Sequence, residues 1–400
     1  MNEENRAKTK WVGTWSSSAA AAGIHIPPLI HLNNGLLYST ARSVICPTLG
    51  GDRIRIKISN RFNKKPLHIS ETTVATYVGG KADTDEPINV TFGGKKELTL
   101  APGEETLSDT LDFKVEALKK IAVSFYVKHA VMRTKSLYGG DTYLSPGNCT
   151  HKKKYAPWWH LFFKTEFATL QTAPFLTRVD VLADDDCYAI VVAGDSTMTN
   201  QKPYYLAERL RRMGITNVAV LQQALNGNRI LEDGHGLLAN IYGESMLKRF
   251  DKDILDCPGV KKIIFKEGIN DMLHPRSLTV GAKKMTNAQD IIEGLSKVID
   301  KAHNNNLKIY VSKLTPFKGF GKLLPGIDDF KWTQEAQDIV DSINEWIDDC
   351  PADGVIRPDF IIDENDPQKM KEEYTIDFLH YKPEAQKLFI ECIDESFLTD

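Results

Sequence analysis

The residues best suited to chemistry in this chain are one serine, one histidine and one short acid, with amide donors between them. The run Ala189-Ile190-Val191-Val192-Ala193-Gly194-Asp195-Ser196 is apolar and β-branched, and it ends in a glycine, an acid and a serine. Far downstream, Asp377-Phe378-Leu379-His380 carries an acid and an imidazole three residues apart. A serine hydroxyl is a weak nucleophile until a base takes its proton, and that base is usually a histidine held by an acid. Asp377 and His380 can supply both from one loop, which makes Ser196, Asp377 and His380 the candidate catalytic set. Acyl transfer also needs donors aimed at the oxyanion of the tetrahedral intermediate. Gly227, within Ala224-Leu225-Asn226-Gly227-Asn228-Arg229, can offer an unobstructed backbone N–H. Asn270, within Glu267-Gly268-Ile269-Asn270-Asp271, can offer a side-chain amide, and the N–H of Ser196 is a third donor. Arg229 and His274 stand close enough to these blocks to line a substrate pocket. Asp195 and Asp271 read as structural acids that satisfy turn N–H groups.

Each piece alone has a plainer reading. Gly-Asp-Ser is an ordinary strand-to-helix turn with a capping side chain, Gly227 a turn glycine, Asn270 a helix cap and His380 a polar surface residue. The order of the pieces, and the elements that must hold them, separate the two readings. The run ending at Gly194 is a buried strand of a parallel sheet, and Leu206, Leu210 and Met213 recur at helical spacing until Gly214. Ser196 therefore falls at the carboxyl end of a strand, where open α/β sheets place their ligands. Further strands are expected at Val218–Leu221, Ile263–Phe265 and Ile309–Val311. Helices are expected through Ile291–Ala302, Ile339–Ile347 and Ala385–Cys392. This alternation means a doubly wound parallel sheet, covered on both faces, over 186–400, after the polar boundary Asp184-Asp185-Asp186. Residues 1–185 have a different texture. Ile54, Ile56 and Ile58 alternate with Arg55, Lys57 and Ser59, Ile121–Val127 is strand-like, and glycine-rich turns punctuate the stretch. Such a pattern predicts a β-sandwich, jelly-roll-like domain.

The chain has 400 residues and a formal net charge of −3, so no global basic footprint points to nucleic acid. No apolar run reaches membrane-spanning length. The start, Met1-Asn2-Glu3-Glu4-Asn5-Arg6, lacks the apolar core of a secretory leader, which makes a cytoplasmic site the expectation. Six scattered cysteines without a Cys-x-x-Cys pair fit neither a zinc site nor a disulfide framework. Neither metal nor cofactor is expected. The stretch His151–His160 mixes lysines with tryptophans and suggests a sugar- or base-stacking platform, but a solvated connector is favoured. The Asn-x-Thr positions at Asn89 and Asn148 would matter only on a eukaryotic secretory path.

The four blocks together resemble the SGNH/GDSL hydrolase superfamily, with its Gly-Asp-Ser, Gly, Gly-x-Asn-Asp and Asp-x-x-His motifs. More narrowly, the chain is similar to bacterial two-domain, xylan-esterase-like members with an N-terminal β-sandwich. That similarity takes in Trp11–Trp15, Gly50–Arg55, Ser59–Phe62, Leu314–Gly319 and Asn344–Ile347. The resemblance implies a flavodoxin-like sheet in the second domain, Ser196 as nucleophile, His380 as base, Asp377 as its orienting acid, and Ser196, Gly227 and Asn270 as the oxyanion hole. Thr197 departs from the family's leucine, Tyr381-Lys382 replace the usual Pro-Asn, and a later glycine is missing around Ala385-Gln386. The implied function is a cofactor-free ester hydrolase acting on a small ester such as an acetylated oligosaccharide, with neither nucleic-acid nor membrane partners. Two alternatives stand beside it: a carbohydrate-binding protein with a degenerate hydrolase domain, and a broad arylesterase or lipase-like enzyme.

Overall fold

Period-two hydrophobicity builds the first half of the chain and a helical period the second, in a computed structural model that describes residues 8–21, 35–131, 134–155, 170–235, 242–276, 284–321 and 331–399. The aromatic half of His151–His160, from Ala156 onward, lies outside the described residues. The chain divides into two units, Met1–Ala189 with Asn217–Leu221, and Ile190–Thr216 with Gln222–Asp400.

The first unit is strand-rich, as the alternation predicts. One antiparallel sheet runs Thr9–Ser16, Leu176–Asp184, Gly51–Ser59, Glu105–Leu107, with Leu111–Val115 also paired to Gly51–Ser59. A larger antiparallel sheet is built on Thr134–Pro146, Gly35–Ile45, Ile121–Val131 and Glu71–Gly79. Ile54, Ile56 and Ile58 are wholly buried while Arg55 and Lys57 between them are half-buried. Arg55 faces Asp180 in register, and its Nε donates to Asp180 Oδ2 at 2.7 Å. Arg178 Nε donates to the other carboxylate oxygen at 2.7 Å. Asp180 is fully buried, a position a carboxylate tolerates only when both oxygens are answered. Phe125 and Phe175, both wholly buried, meet edge-on with ring centroids 6.4 Å apart.

The second half forms a five-stranded sheet in the order Val218–Ala224, Tyr188–Gly194, Val260–Lys266, Lys308–Ser312, Gly354–Ile356. The last three strands pair in parallel. Numbered along the chain this is the order 2-1-3-4-5 of a flavodoxin-like doubly wound sheet, and its switch point lies between the strands ending at Gly194 and Lys266. The strands are mostly apolar and largely buried, as expected of a parallel sheet covered on its faces. Residues Val218–Ala224 are all buried, as are Ala189–Gly194.

Local signals explain the helices. Lys202–Arg212 has Pro203 in its first turn and buries Leu206 and Leu210, and Gly214 beyond its cap has φ +79. Ala288–His303 starts with a capping box of Asn287 and Asp290 and buries Ile291, Leu295, Val298, Ile299 and Ala302. Thr333 caps Gln334–Asp348, which buries Val340, Ile343 and Ile347. Pro383–Glu391 follows the histidine loop and buries Ala385, Phe389 and Ile390. Arg209 ties that last helix down by donating to the carbonyls of Ile390 and Ile393, each at 2.7 Å. The helix after the serine and the helix after the histidine are thus clamped together. Among the described residues no helix is long and apolar enough to cross a membrane.

Candidate active site

Three loops at the carboxyl ends of the first three strands, and the loop before the last long helix, carry the residues singled out above. At the first of them, Gly194 has φ +139, and a Cβ there would sit 1.9 Å from the carbonyl oxygen of Lys266. Only glycine lets the strand end lie this close to its neighbour. Asp195 follows in extended conformation and caps a short 3-10 turn, Ser196–Met198. Its Oδ1 accepts from the N–H and from the hydroxyl of Thr197, both at 2.8 Å. Burial raises the Asp195 pKa, opposed by the Thr197 hydrogen bonds and by the positive charge of Lys266. Asp195 is therefore the structural acid its position suggests, and it leaves Ser196 half-buried at the head of the turn.

The histidine loop is held by Thr375. Its hydroxyl accepts the N–H of Phe378 at 2.7 Å and donates to the His380 carbonyl at 3.1 Å. Phe378 takes φ +66, which folds the loop back on itself. Asp377 Oδ1 accepts the N–H groups of His380 and Leu379 at 2.8 and 3.0 Å. Its Oδ2 lies 2.8 Å from His380 Nδ1, and His380 Nε2 lies 2.8 Å from Ser196 Oγ. A proton on Nδ1 shared with the carboxylate leaves Nε2 as an acceptor for the serine O–H, the tautomer a general base needs. Burial would raise Asp377, but the hydrogen bond and charge of His380 and the two loop N–H groups outweigh it and hold it below the ordinary carboxylate range. The structure thus brings Ser196, His380 and Asp377 into one hydrogen-bonded relay across 184 residues of chain.

At the end of the neighbouring strand, Gly227 has φ +67 and its missing Cβ would overlap the ring of Tyr242 at 2.0 Å. No acceptor among the described residues takes its N–H. The next residue, Asn228, is a buried clasp. Its amide nitrogen donates to the carbonyls of Tyr242 and Glu244 at 2.7 and 2.8 Å, and its Oδ1 accepts from Arg249 Nε at 2.7 Å. Asn270, in the short helix Ile269–Leu273, spends one amide hydrogen on the Asn228 carbonyl at 3.0 Å. Arg249 also donates to Gln223 O at 2.8 Å and Gly194 O at 3.2 Å, so one buried guanidinium joins two strand ends to the Gly227 loop. Asp271 accepts from the N–H groups of Ile230 and Leu231 at 2.8 and 3.0 Å. Burial pushes it up to about 7, against those bonds and the Arg229 charge. Asn270→Ala is expected to cut kcat for an aryl acetate by about 10²–10³-fold, the usual cost of one oxyanion donor. Steady-state kinetics beside an unchanged fold would check it, and a loss under tenfold would count against the assignment.

Arg229 and His274, expected from their positions to line the pocket, are both buried. The Arg229 side chain is 2% exposed, donates to the Asp233 carbonyl and lies 3.5 Å from Glu232. His274 is 1% exposed and stacks on Tyr242 with centroids 4.6 Å apart. Burial, with a smaller push from the Arg229 charge, drops its pKa to about 3, so the ring is neutral. The two side chains hold up the loop that bears Gly227 rather than facing solvent. Sequence reasoning also passed over Thr375, Asn228, Arg249 and the buried lysines Lys202 and Lys266. In a linear reading an arginine or lysine beside an apolar run looks like a solvated edge. Among the described residues no cluster of side chains could hold a metal ion.

Residues 190–393, just over half of the chain, match the family described as GDSL-like Lipase/Acylhydrolase. No curated protein sequence matches the chain. Solved structures similar to it include a putative acylhydrolase from Bacteroides fragilis, 14% identical, covering 54% of this chain and 88% of that one with a TM-score of 0.39. A GDSL-like lipase from Bacteroides thetaiotaomicron is 15% identical and covers 52% of this chain and 87% of that one, TM-score 0.37. An acetyl xylan esterase is 16% identical and covers 53% and 100%, TM-score 0.38.

Proposed function

This chain belongs to the GDSL-like lipase/acylhydrolase family, and from that premise we propose that it is a serine esterase removing short acyl groups, acetyl foremost, from a hydroxylated substrate such as an acetylated oligosaccharide. The observation that carries the reading is the Ser196–His380–Asp377 relay, two contacts of 2.8 Å each. Ser196 Oγ attacks the ester carbonyl while His380 Nε2 takes its proton, and Asp377 steadies the imidazolium through Nδ1. The oxyanion forms against the N–H groups of Ser196 and Gly227 and the side-chain amide of Asn270. Collapse expels the alcohol, which receives its proton from His380, and leaves an acyl-Ser196. Water activated by the same imidazole then releases the acid. The short-acyl, sugar-borne part of the proposal rests on the resemblance to xylan-esterase-like two-domain proteins. The partly exposed His380, 28% by side chain, is consistent with an open site that receives a polar alcohol from solvent.

The test is a fluorophosphonate label combined with a substrate panel. Labelling at Ser196 with faster release of acetate from acetylated xylo-oligosaccharides than from p-nitrophenyl acetate is the expected result. Labelling with aryl-ester turnover alone would replace the carbohydrate reading by a broad arylesterase. A chain that takes no label at Ser196 would leave only the binding-protein alternative.

A further inference from the structure

Behind the serine turn lie two lysines to which ester cleavage as written above assigns no task. Lys202 and Lys266 are each 1% exposed, and both point at the ring of Tyr381, with Nζ 5.0 and 4.9 Å from its centroid. Burial lowers both ammonium groups, Lys202 to about 7 and Lys266 to about 8, and the Asp195 charge opposes the shift in each. A methionine would fill such a space without stripping water from a charge. Packing alone therefore does not account for an amine there.

Lys266 stands apart from Lys202 in what it holds. It is the last residue of the strand Val260–Lys266. Its carbonyl accepts the N–H of Asp195 at 3.3 Å and fills the space a Cβ on Gly194 would need. Its Nζ donates to the Tyr381 phenol at 2.8 Å and to the Thr315 hydroxyl at 3.3 Å. Tyr381 directly follows His380, is 3% exposed, and bridges across the loop to Thr375, whose hydroxyl holds the His380 carbonyl. Burial keeps the phenol well above its ordinary pKa, so it stays neutral and offers a lone pair to the ammonium. One residue thus touches the chain immediately before Ser196 with its backbone and immediately after His380 with its side chain. These are the two segments whose separation sets the Ser196–His380 contact.

We infer that Lys266 is a positioning residue for acyl transfer: by gripping the Tyr381 phenol it sets the histidine loop against the serine turn that its own carbonyl supports. The inference rests on the esterase reading above. It also gives a purpose to the tyrosine that stands where the family pattern has proline. A charge-assisted bond to a phenol is short and directional, and misplacing reacting groups by about 1 Å costs on the order of 10²-fold in rate.

Two variants test it. Tyr381→Phe keeps the ring and its packing and removes only the phenol oxygen; Lys266→Met removes the ammonium. Both are scored by kcat and KM on p-nitrophenyl acetate per fluorophosphonate-titrated serine, with the thermal midpoint measured alongside. Each is expected to lower kcat about 10–100-fold with KM within about twofold of wild type. The double variant should be no slower than the worse single one, because both cut the same link. An unchanged kcat per titrated serine in Tyr381→Phe, or two effects that simply multiply in the double variant, would overturn the inference. If Lys266→Met does not fold, Tyr381→Phe alone decides. A wild-type protein that takes no label at Ser196 would instead remove the esterase reading, and this inference with it.

Discussion

Ser196→Ala is expected to lower kcat for p-nitrophenyl acetate by ~10⁶-fold, the scale seen when a hydroxyl nucleophile is deleted from an intact relay. The fold should survive. The turn that carries Ser196 is organised by Asp195 and Thr197, and by backbone bonds such as Met198 N to Asp195 O, none of which uses the serine hydroxyl. The hydroxyl's recorded side-chain partner is His380 Nε2, so its removal leaves a part-exposed imidazole and no buried orphan. Stability should shift by no more than about 0.5 kcal/mol, as for a typical surface change. Kinetics and a thermal melt on the same preparation check both halves. Appreciable turnover in a well-folded variant would remove Ser196 as nucleophile.

Asp377→Asn is expected to cost ~10⁴-fold in kcat with little change in the loop. An asparagine can still accept the N–H groups of Leu379 and His380 with its oxygen, so the backbone of the turn keeps its two bonds. Its amide nitrogen would then face His380 Nδ1, where the carboxylate oxygen now sits at 2.8 Å. A donor there favours the tautomer protonated on Nε2, which cannot accept the serine proton. The imidazolium formed during attack also loses its counter-charge. Because Asp377 is held below the ordinary carboxylate range, it is ionised across the neutral range. An Asp377→Asn variant within tenfold of wild type would count against a histidine base held by Asp377.

How far these residues can be read in one dimension depends on how local their determinants are. Ser196, Gly227 and Asn270 each come within a few residues of the end of an apolar, β-branched run. A parallel sheet must put all such ends on one edge, so the spatial convergence is already implied by the alternation of strands and helices. Asp377 and His380 share a single turn, which makes their pairing a matter of three residues. The helix starts at Asn287 and Thr333 are likewise written in neighbouring side chains.

Other features depend on contacts between distant segments and have no linear trace. Lys202, Lys266, Arg249 and Glu267 look like any charged residues at the ends of strands or on helices, yet all four are buried at 1% exposure. Glu267 has no hydrogen-bond partner among the described residues, and burial raises it well above the usual carboxylate range. Arg229 and His274 show the same limit from the other side, since proximity in sequence to the motifs said nothing about which way they face. From sequence alone came the strand-rich first half and the doubly wound second half, which follow from short-range periodicity and turn chemistry, and the relay's three members, which follow from residue chemistry and the motif resemblance. Which charges lose their water, and the Lys266–Tyr381 grip between strand and loop, were decided only by the tertiary fold. Desolvation is a property of everything packed around a group, and the packing partners here come from segments more than a hundred residues apart.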